Sequence, residues 1–174
     1  KRIRDLWYSM DSAAVQVITE GGSVGVNGLL LAREYDYDNG TDCLTILLPS
    51  GRKLYYINPS IGQNEWGRPS ISYMGMDQKT KRWKRIETYG GKLVENCVQA
   101  IARDCLAASI DRLEAAKLPV VFHVHDEVVI DVAPFADEDT MLSTVCSIMG
   151  EPVPWAPDLP LKAAGWVGYY FTKD

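Results

Sequence analysis

Three consecutive polar residues, His125, Asp126 and Glu127, have the types and spacing that could do chemistry. They stand between two apolar, β-branched runs at residues 119–122 and 128–130, which have the composition of buried strands. Two carboxylates at the end of a hairpin offer hard oxygen ligands that suit Mg²⁺, and the imidazole can donate to a phosphate oxygen. For three residues taken alone, solvated loop charges are the simpler interpretation. However, the turn lacks Gly, Asn and Pro, the usual residues of a short hairpin loop, which favours a chemical role.

A long helix is predicted ahead of this hairpin, over residues 93–117, after the pair Gly90-Gly91. Its apolar residues extend around much of the circumference, so we expect it to be largely buried. A narrow polar stripe with i, i+3, i+4 spacing remains, formed by Lys92, Glu95 or Asn96, Gln99 and Arg103. The stripe could face a ligand, or it could be an ordinary solvated face.

A basic hairpin is predicted from strands at residues 70–74 and 82–86 around a turn at 77–80. With Tyr73 and Trp83 interleaved, its cations could lie along a DNA backbone, where phosphate contacts need no sequence specificity. A charged, solvated hairpin is the alternative. The candidate phosphate-binding residues are Lys81, Arg82, Lys84 and Arg85.

The remaining elements surround these candidates. A helix at residues 3–19 ends at Gly21-Gly22, and three β runs at 24–33, 43–48 and 52–57 predict an antiparallel meander, followed by a loop at 58–68. Beyond the central hairpin we expect a helix whose first turn holds Asp137, Glu138 and Asp139 as dipole partners, then a proline-rich connector at 152–160 and a last strand at 161–171. This order predicts an α+β fold, an antiparallel sheet with packed helices.

Composition sets further bounds. A chain of 174 residues with 47% hydrophobic content predicts a single domain over residues 1–174. The net charge of −5 does not indicate a nucleic-acid binder, but local patches matter more than the sum. The four cysteines have no C-x-x-C spacing, so we expect neither zinc nor a disulfide framework. Without a long apolar run or a signal-peptide pattern at the start, the expected compartment is the cytoplasm.

Two segments carry a family resemblance. The string H-V-H-D-E-V-V at residues 123–129 resembles motif C of the family A, DNA polymerase I-like, DNA polymerases. The string T-Y-G-G-K-L-V-E-N-C-V-Q-A-I-A-R-D at residues 88–104 is similar to the helix before that motif, especially in the phage and prophage branch. The string K-A-A-G at residues 162–165 extends the resemblance toward the end of the chain.

The resemblance implies the C-terminal portion of a polymerase palm, which adds dNTPs to a primer 3′ end by two-metal phosphoryl transfer with Mg²⁺. By resemblance, Asp126 ligates metal, Glu127 helps to hold the metal site, and His125 contacts the backbone of the primer end. Gln99 matches the helix glutamine that contacts the minor groove of the primer-template. The family's asparagine one turn earlier falls on Glu95, with Asn96 one place off, and its arginine one turn before that falls on Gly91.

Two parts of such an enzyme are missing from the sequence: a D-Y/F-S-x-I-E strand, called motif A, and a fingers-type helix. Asp11 does not replace the motif A aspartate, and we expect it to be a solvated helix residue. The expected partners are therefore primer-template DNA, dNTP and the rest of a polymerase chain (fingers, thumb and motif A strand), in a bacterial or phage-infected cell. Alone, the chain is expected to be inactive. A noncatalytic DNA-binding or assembly module with a palm-like fold, or a metal-dependent hydrolase built on the same hairpin, are the alternatives.

Overall fold

The computed structural model describes residues 2–63, 67, 69–133 and 135–172. The chain separates into two compact units, Lys1–Gln99 and Ala100–Asp174. The first unit contains a six-stranded antiparallel sheet and the second a two-stranded one, and three helices lie within the described residues. The predicted α+β class with antiparallel pairing is thus confirmed, whereas the single-domain expectation stays a prediction. No helix in the described ranges is long and apolar enough to cross a membrane.

Helix α1, Arg2–Glu20, confirms the helix expected at residues 3–19. Its apolar stripe becomes its buried face, because residues three and four apart lie on one side of a helix. It ends where Gly21 and Gly22 adopt φ values of 78° and 76°, a conformation that glycine reaches without steric cost. The buried residues of the helix are Met10, Ala13, Ala14, Val17 and Ile18.

The six strands of the first unit form a meander in which each strand pairs with the next. Helix α1 contacts the first four strands, and the Arg33 guanidinium donates to the Ile18 carbonyl oxygen at its end. The buried side chains Leu31 and Ile46 are direct cross-strand partners. The strands are β1 (Ser23–Val26), β2 (Leu29–Asp36), β3 (Thr41–Leu47), β4 (Lys53–Gln63), β5 (Pro69–Met76) and β6 (Trp83–Thr88).

The meander differs from its prediction at two places. The run at 24–33 is two strands, because Asn27 and Gly28 adopt φ values of 47° and 80° and form a tight turn, for which Asn-Gly is the strongest sequence signal. Residues 58–63, expected as a loop, continue β4 instead. Pro59 is accommodated because the β4–β5 register shifts between Ile57 and Ser60, where no ladder N–H is required. Residues 64–66 and 68 of that expected loop lie outside the described residues.

Helix α2, Gly90–Ala115, confirms the long helix but begins three residues earlier than predicted. It starts in the first unit and ends in the second. Leu93, Cys97 and Leu113 are buried, yet Val98 is 60% exposed. The expectation of a largely buried helix therefore holds for one side only.

The second unit contains the hairpin of β7 (Val120–Val124) and β8 (Glu127–Ile130) and helix α3 (Glu138–Met149). The Asp137 side chain accepts from the Thr140 backbone N–H and caps α3, with Glu138 and Asp139 in the first turn, so their predicted role at the helix N-terminus is confirmed. The expectation of buried strands is wrong here: Val121 and Phe122 are exposed, and the residues of β8 are at most half-buried. None of the described α3 residues is fully buried either.

The prediction of a last strand at residues 161–171 is also wrong. Those residues form no strand and pair with none of the strands that the structure describes. Gly165 and Gly168 interrupt the segment, and glycine weakens strand structure. Gly165 lies against α3 instead, where an added Cβ would be 3.0 Å from Leu142 Cδ1. The aromatic residues Trp166, Tyr169 and Tyr170 are exposed.

Candidate nucleic-acid and metal site

The tip of the β7–β8 hairpin is a two-residue loop of His125 and Asp126, because Val124 and Glu127 are direct cross-strand partners. His125 has a φ of 53°, a left-handed conformation at the first loop position that glycine commonly fills. Non-glycine residues in this region are uncommon, with histidine among those enriched there, and they cluster at functional sites. All three candidate residues are exposed at this tip.

The alternation of side chains along β7 and β8 determines which residues lie on the same face of the hairpin as Glu127. Because successive side chains point to opposite faces, Glu127 lies on the face that carries Phe122 and Val129, and His123 lies on the other. Phe171 packs on Phe122 edge to face, with ring centroids 5.3 Å apart. The C-terminal segment therefore covers part of the Glu127 face.

The donor set at the tip fits part of a magnesium site. Asp126 and Glu127 contribute two carboxylates on consecutive residues. Across the described ranges, no group of three or more His, Cys, Asp or Glu side chains is placed to hold a metal. Mg²⁺ is often bound by one or two carboxylates together with waters and substrate phosphates, so these two residues can supply the protein oxygens of such a site.

The predicted stripe on α2 is joined by hydrogen bonds along its first turns. Lys92 Nζ donates to Glu95 Oε2 at 2.9 Å, and Gln99 Nε2 donates to Glu95 Oε1 at 3.2 Å. The hydrogen bond from Lys92 to Glu95 raises the pKa of the lysine. Glu95 and Gln99 are exposed, and so is Arg103, one turn beyond Gln99 on the same helix.

Asn96 does not belong to this hydrogen-bonded row. Its Nδ2 donates to the hydroxyl of Tyr56 on β4 at 3.0 Å, and the Tyr56 ring packs edge to face on Tyr73. Burial raises the pKa of the Tyr56 hydroxyl, which keeps the phenol protonated. The structure thus places Glu95 rather than Asn96 in line with Gln99, and the DNA role of both stays a prediction.

A groove of about 520 Å³ runs beside the stripe. The exposed rings of Trp7 and Tyr89 line this groove. Gly91 also lines it, and its lack of a side chain matters because an added Cβ would be only 2.9 Å from Tyr89 Cε2. Sequence reasoning missed this groove. The only local signal is the glycine pair beside Tyr89, because Trp7 is more than 80 residues away in the chain.

The basic hairpin forms as predicted, but two of its four cations, Lys84 and Arg85, already have side-chain partners within the protein. Lys84 Nζ lies 2.9 Å from Asp77 Oδ2, and this contact, with hydrogen bonds from Thr80, holds the pKa of Asp77 well below its usual range. Arg85 Nη1 donates to Ser60 Oγ at 2.8 Å and to Ser72 Oγ at 3.2 Å. Lys81 and Arg82 are exposed beside the turn.

The two aromatic residues of this hairpin, Tyr73 and Trp83, lie on opposite faces of the sheet. Trp83 shares a face with Arg85, because their partners Met76 and Met74 alternate along β5. Tyr73 lies on the opposite face and packs on Tyr56. Trp83 therefore lies beside Arg85, whereas Lys84, whose partner is Gly75, lies on the face that carries Tyr73.

Asp11 is helical as expected, but the expectation that it is solvated is wrong. Its Oδ1 accepts from the backbone N–H of Gly90 at 2.8 Å, which satisfies one of the free donors at the start of α2. No local pattern could have paired two residues 79 positions apart.

No family model matches the chain, and no solved structure matches it. The chain is 44% identical, over 176 aligned residues, to a protein named DNA polymerase from Bacillus phage SP02. The match covers 100% of this chain and 26% of that relative, so the chain spans about a quarter of the length of the phage protein. Over its whole length, then, the chain is similar to part of a protein named as a phage DNA polymerase.

Proposed function

We propose that this chain is part of a DNA polymerase of family A and forms the C-terminal portion of its palm. The activity of the parent protein is template-directed transfer of deoxynucleotides to a primer 3′ end. The observation that carries the proposal is the 44% identity to a phage DNA polymerase along the entire chain. The positive φ of His125, beside two exposed carboxylates, supports the placement of the chemistry at the hairpin tip.

In this proposal the hairpin tip binds the reacting groups. Asp126 and Glu127 supply carboxylate oxygens to Mg²⁺, with Asp126 as the direct ligand, and His125 donates to the backbone of the primer end. If Mg²⁺ binds there, it would supply electrostatic stabilisation of the charge that develops during phosphoryl transfer. His125 and Asp126 form the two-residue loop and Glu127 begins β8, so the paired strands place all three side chains at one end of the hairpin.

The remaining candidates bind primer-template DNA. Gln99 and the stripe around it lie along the minor groove, and the basic hairpin lies along the phosphate backbone. The fingers, the thumb and the second metal-binding aspartate are assigned to the rest of the parent polymerase, which works in the cytoplasm of a bacterial or phage-infected cell.

Asp126→Asn in the parent polymerase tests the catalytic role. The change preserves the shape of the exposed turn, so the free energy of unfolding should move by no more than about 0.5 kcal/mol. The rate of primer extension at saturating Mg²⁺ should fall about a hundredfold or more, because electrostatic stabilisation of a transferring phosphoryl group is worth several kcal/mol. Single-turnover extension of a defined primer-template measures the rate.

Asp131→Asn is the matched control, since Asp131 is exposed and lies just beyond the end of β8. Its extension rate should stay within a few-fold of the unmodified enzyme. The 174-residue chain by itself is expected to extend no primer. Equal rates for the two variants would remove the catalytic assignment of the hairpin.

A further inference from the structure

We infer that Glu95 is a positioning residue that restricts the α2 stripe to the groove edges of DNA and keeps it away from phosphate. This inference rests on the proposed function only in taking primer-template DNA as the ligand. It changes the expected role of Glu95, from a side chain that contacts DNA to one that acts through Lys92 and Gln99.

Both carboxylate oxygens of Glu95 are engaged on the surface of α2. Oε2 accepts from Lys92, one turn toward the N-terminus, and Oε1 accepts from Gln99, one turn toward the C-terminus. The three side chains are exposed, or nearly half so, and core packing does not impose this row. The spacing alone brings them together, because residues three and four apart are neighbours on a helix.

The carboxylate fixes which way the Gln99 amide faces. An ionised carboxylate can only accept, so the amide must turn its NH₂ group toward Glu95. One N–H of Gln99 is then occupied, while its second N–H and its carbonyl oxygen remain for a ligand. The minor groove presents base acceptors together with the guanine amino donor, and a single amide in this orientation can meet both kinds of group.

The same carboxylate removes Lys92 from the set of phosphate-binding cations. Lys92 Nζ lies 2.9 Å from Glu95 Oε2, and the negative charge of Glu95 repels any phosphate that approaches the middle of the stripe. Contacts made by the first turns of the stripe, from Lys92 to Gln99, should therefore add little to the salt dependence of DNA binding. Replacing Glu95 with a neutral residue should release Lys92 to the backbone.

Glu95→Gln in the 174-residue chain tests this, with affinity for a primer-template duplex measured by fluorescence anisotropy over a series of KCl concentrations. The slope of log K against log[salt] should steepen by about 0.9, the value for one more neutralised phosphate. In a Lys92→Gln background the same substitution should leave the slope unchanged. Glu20→Gln, at an exposed acid on α1, makes the same change in net charge and should leave the slope unchanged as well.

An unchanged slope for Glu95→Gln would overturn the inference, and so would an equal steepening in the Lys92→Gln background. The NMR resonances of the Gln99 side-chain amide give a readout without DNA: Glu95→Ala should shift them and Glu20→Gln should not. If the unmodified chain fails to bind primer-template, the proposed function and its DNA ligand fall together. If the unmodified chain binds primer-template but Glu95→Ala leaves the Gln99 resonances unchanged, only the positioning role of Glu95 is contradicted.

Discussion

Single carboxylates in this chain have different roles because each faces a different neighbour. Asp137 caps α3, and Asp77 binds Lys84 and closes a turn. Within the described ranges, no hydrogen bond or ion pair engages the carboxylate of Asp126 or Glu127. These two carboxylates at the hairpin tip therefore have no structural partner among the described residues, as a ligand-binding role requires.

Asp11 gives a prediction at the same scale. Asp11→Ala removes the acceptor for the Gly90 N–H and should lower the free energy of unfolding by about 0.5–2 kcal/mol, the usual cost of losing a helix N-terminal acceptor. Asp11→Asn retains a side-chain oxygen there and should cost less. Urea denaturation followed by circular dichroism measures both, and an equal loss for the two variants would assign the effect to the charge rather than to the hydrogen bond.

Within the first unit, the start of α2 lies close beside α1. An added Cβ on Gly90 would be 1.9 Å from the carbonyl oxygen of Trp7 and 2.8 Å from the backbone nitrogen of Asp11. The absence of a side chain at Gly90 therefore sets how closely the two helices approach. The groove beside the stripe depends on the same junction, since Trp7 and Gly91 both line it.

The close approach at Gly90 is tested by comparing the stability of Gly90→Ala with that of Gly91→Ala, the same substitution at the next residue. Alanine in a helix normally gains about 0.5–1 kcal/mol over glycine, but here the new methyl group meets backbone atoms that cannot rotate away, so a loss of about 1–3 kcal/mol is expected. Gly91→Ala meets the rings of Tyr89 and Trp7, side chains that can turn, and should change the free energy of unfolding by less than about 1 kcal/mol. Thermal denaturation compares the two variants, and similar stabilities would contradict the close-approach explanation.

At the scale of the whole molecule, a net charge of −5 opposes binding to DNA unless the basic residues are concentrated and unpaired. All four cations of the basic hairpin are exposed, but Lys84 and Arg85 have side-chain partners, Asp77 and the Ser60 and Ser72 hydroxyls. Among the described residues no hydrogen bond or ion pair engages the side chains of Lys81 and Arg82, so this second pair should make most of the phosphate contacts of the hairpin.

Neutralising each pair tests the division. Lys81→Gln with Arg82→Gln should flatten the salt slope of primer-template binding by up to about 1.8, twice the value for one phosphate, whereas Lys84→Gln with Arg85→Gln should change it less. All four together should flatten it most. Electrophoretic mobility shifts at several KCl concentrations measure the slope. A wild-type slope in all three variants would show that the hairpin is an ordinary solvated surface.

Much of the local structure could be predicted from the sequence. Helical periodicity gave α1 and α2 to within three residues, the acids ahead of α3 predicted its start, and the apolar runs on either side of His125 predicted the hairpin. The Asn27-Gly28 turn carried an equally local signal that the expected single strand overlooked. Such features are predictable because they depend on residues within a turn or two of one another.

Only the tertiary structure decided the rest. The hydrogen-bond partners of the Arg85 side chain lie 13, 25 and 27 residues away along the chain, and the partner of the Asp11 side chain lies 79 away. Their identity therefore depends on how the chain folds back on itself. The strand expected at 161–171 had the bulky residues of a strand but found no neighbouring strand to pair with among the described residues, and backbone pairing rather than composition makes a strand. The sequence by itself determined which residues could do chemistry and on which elements they lie. Folding determined which of those charges are held by structural partners and which remain exposed to meet a ligand, because burial and pairing are properties of three-dimensional neighbours.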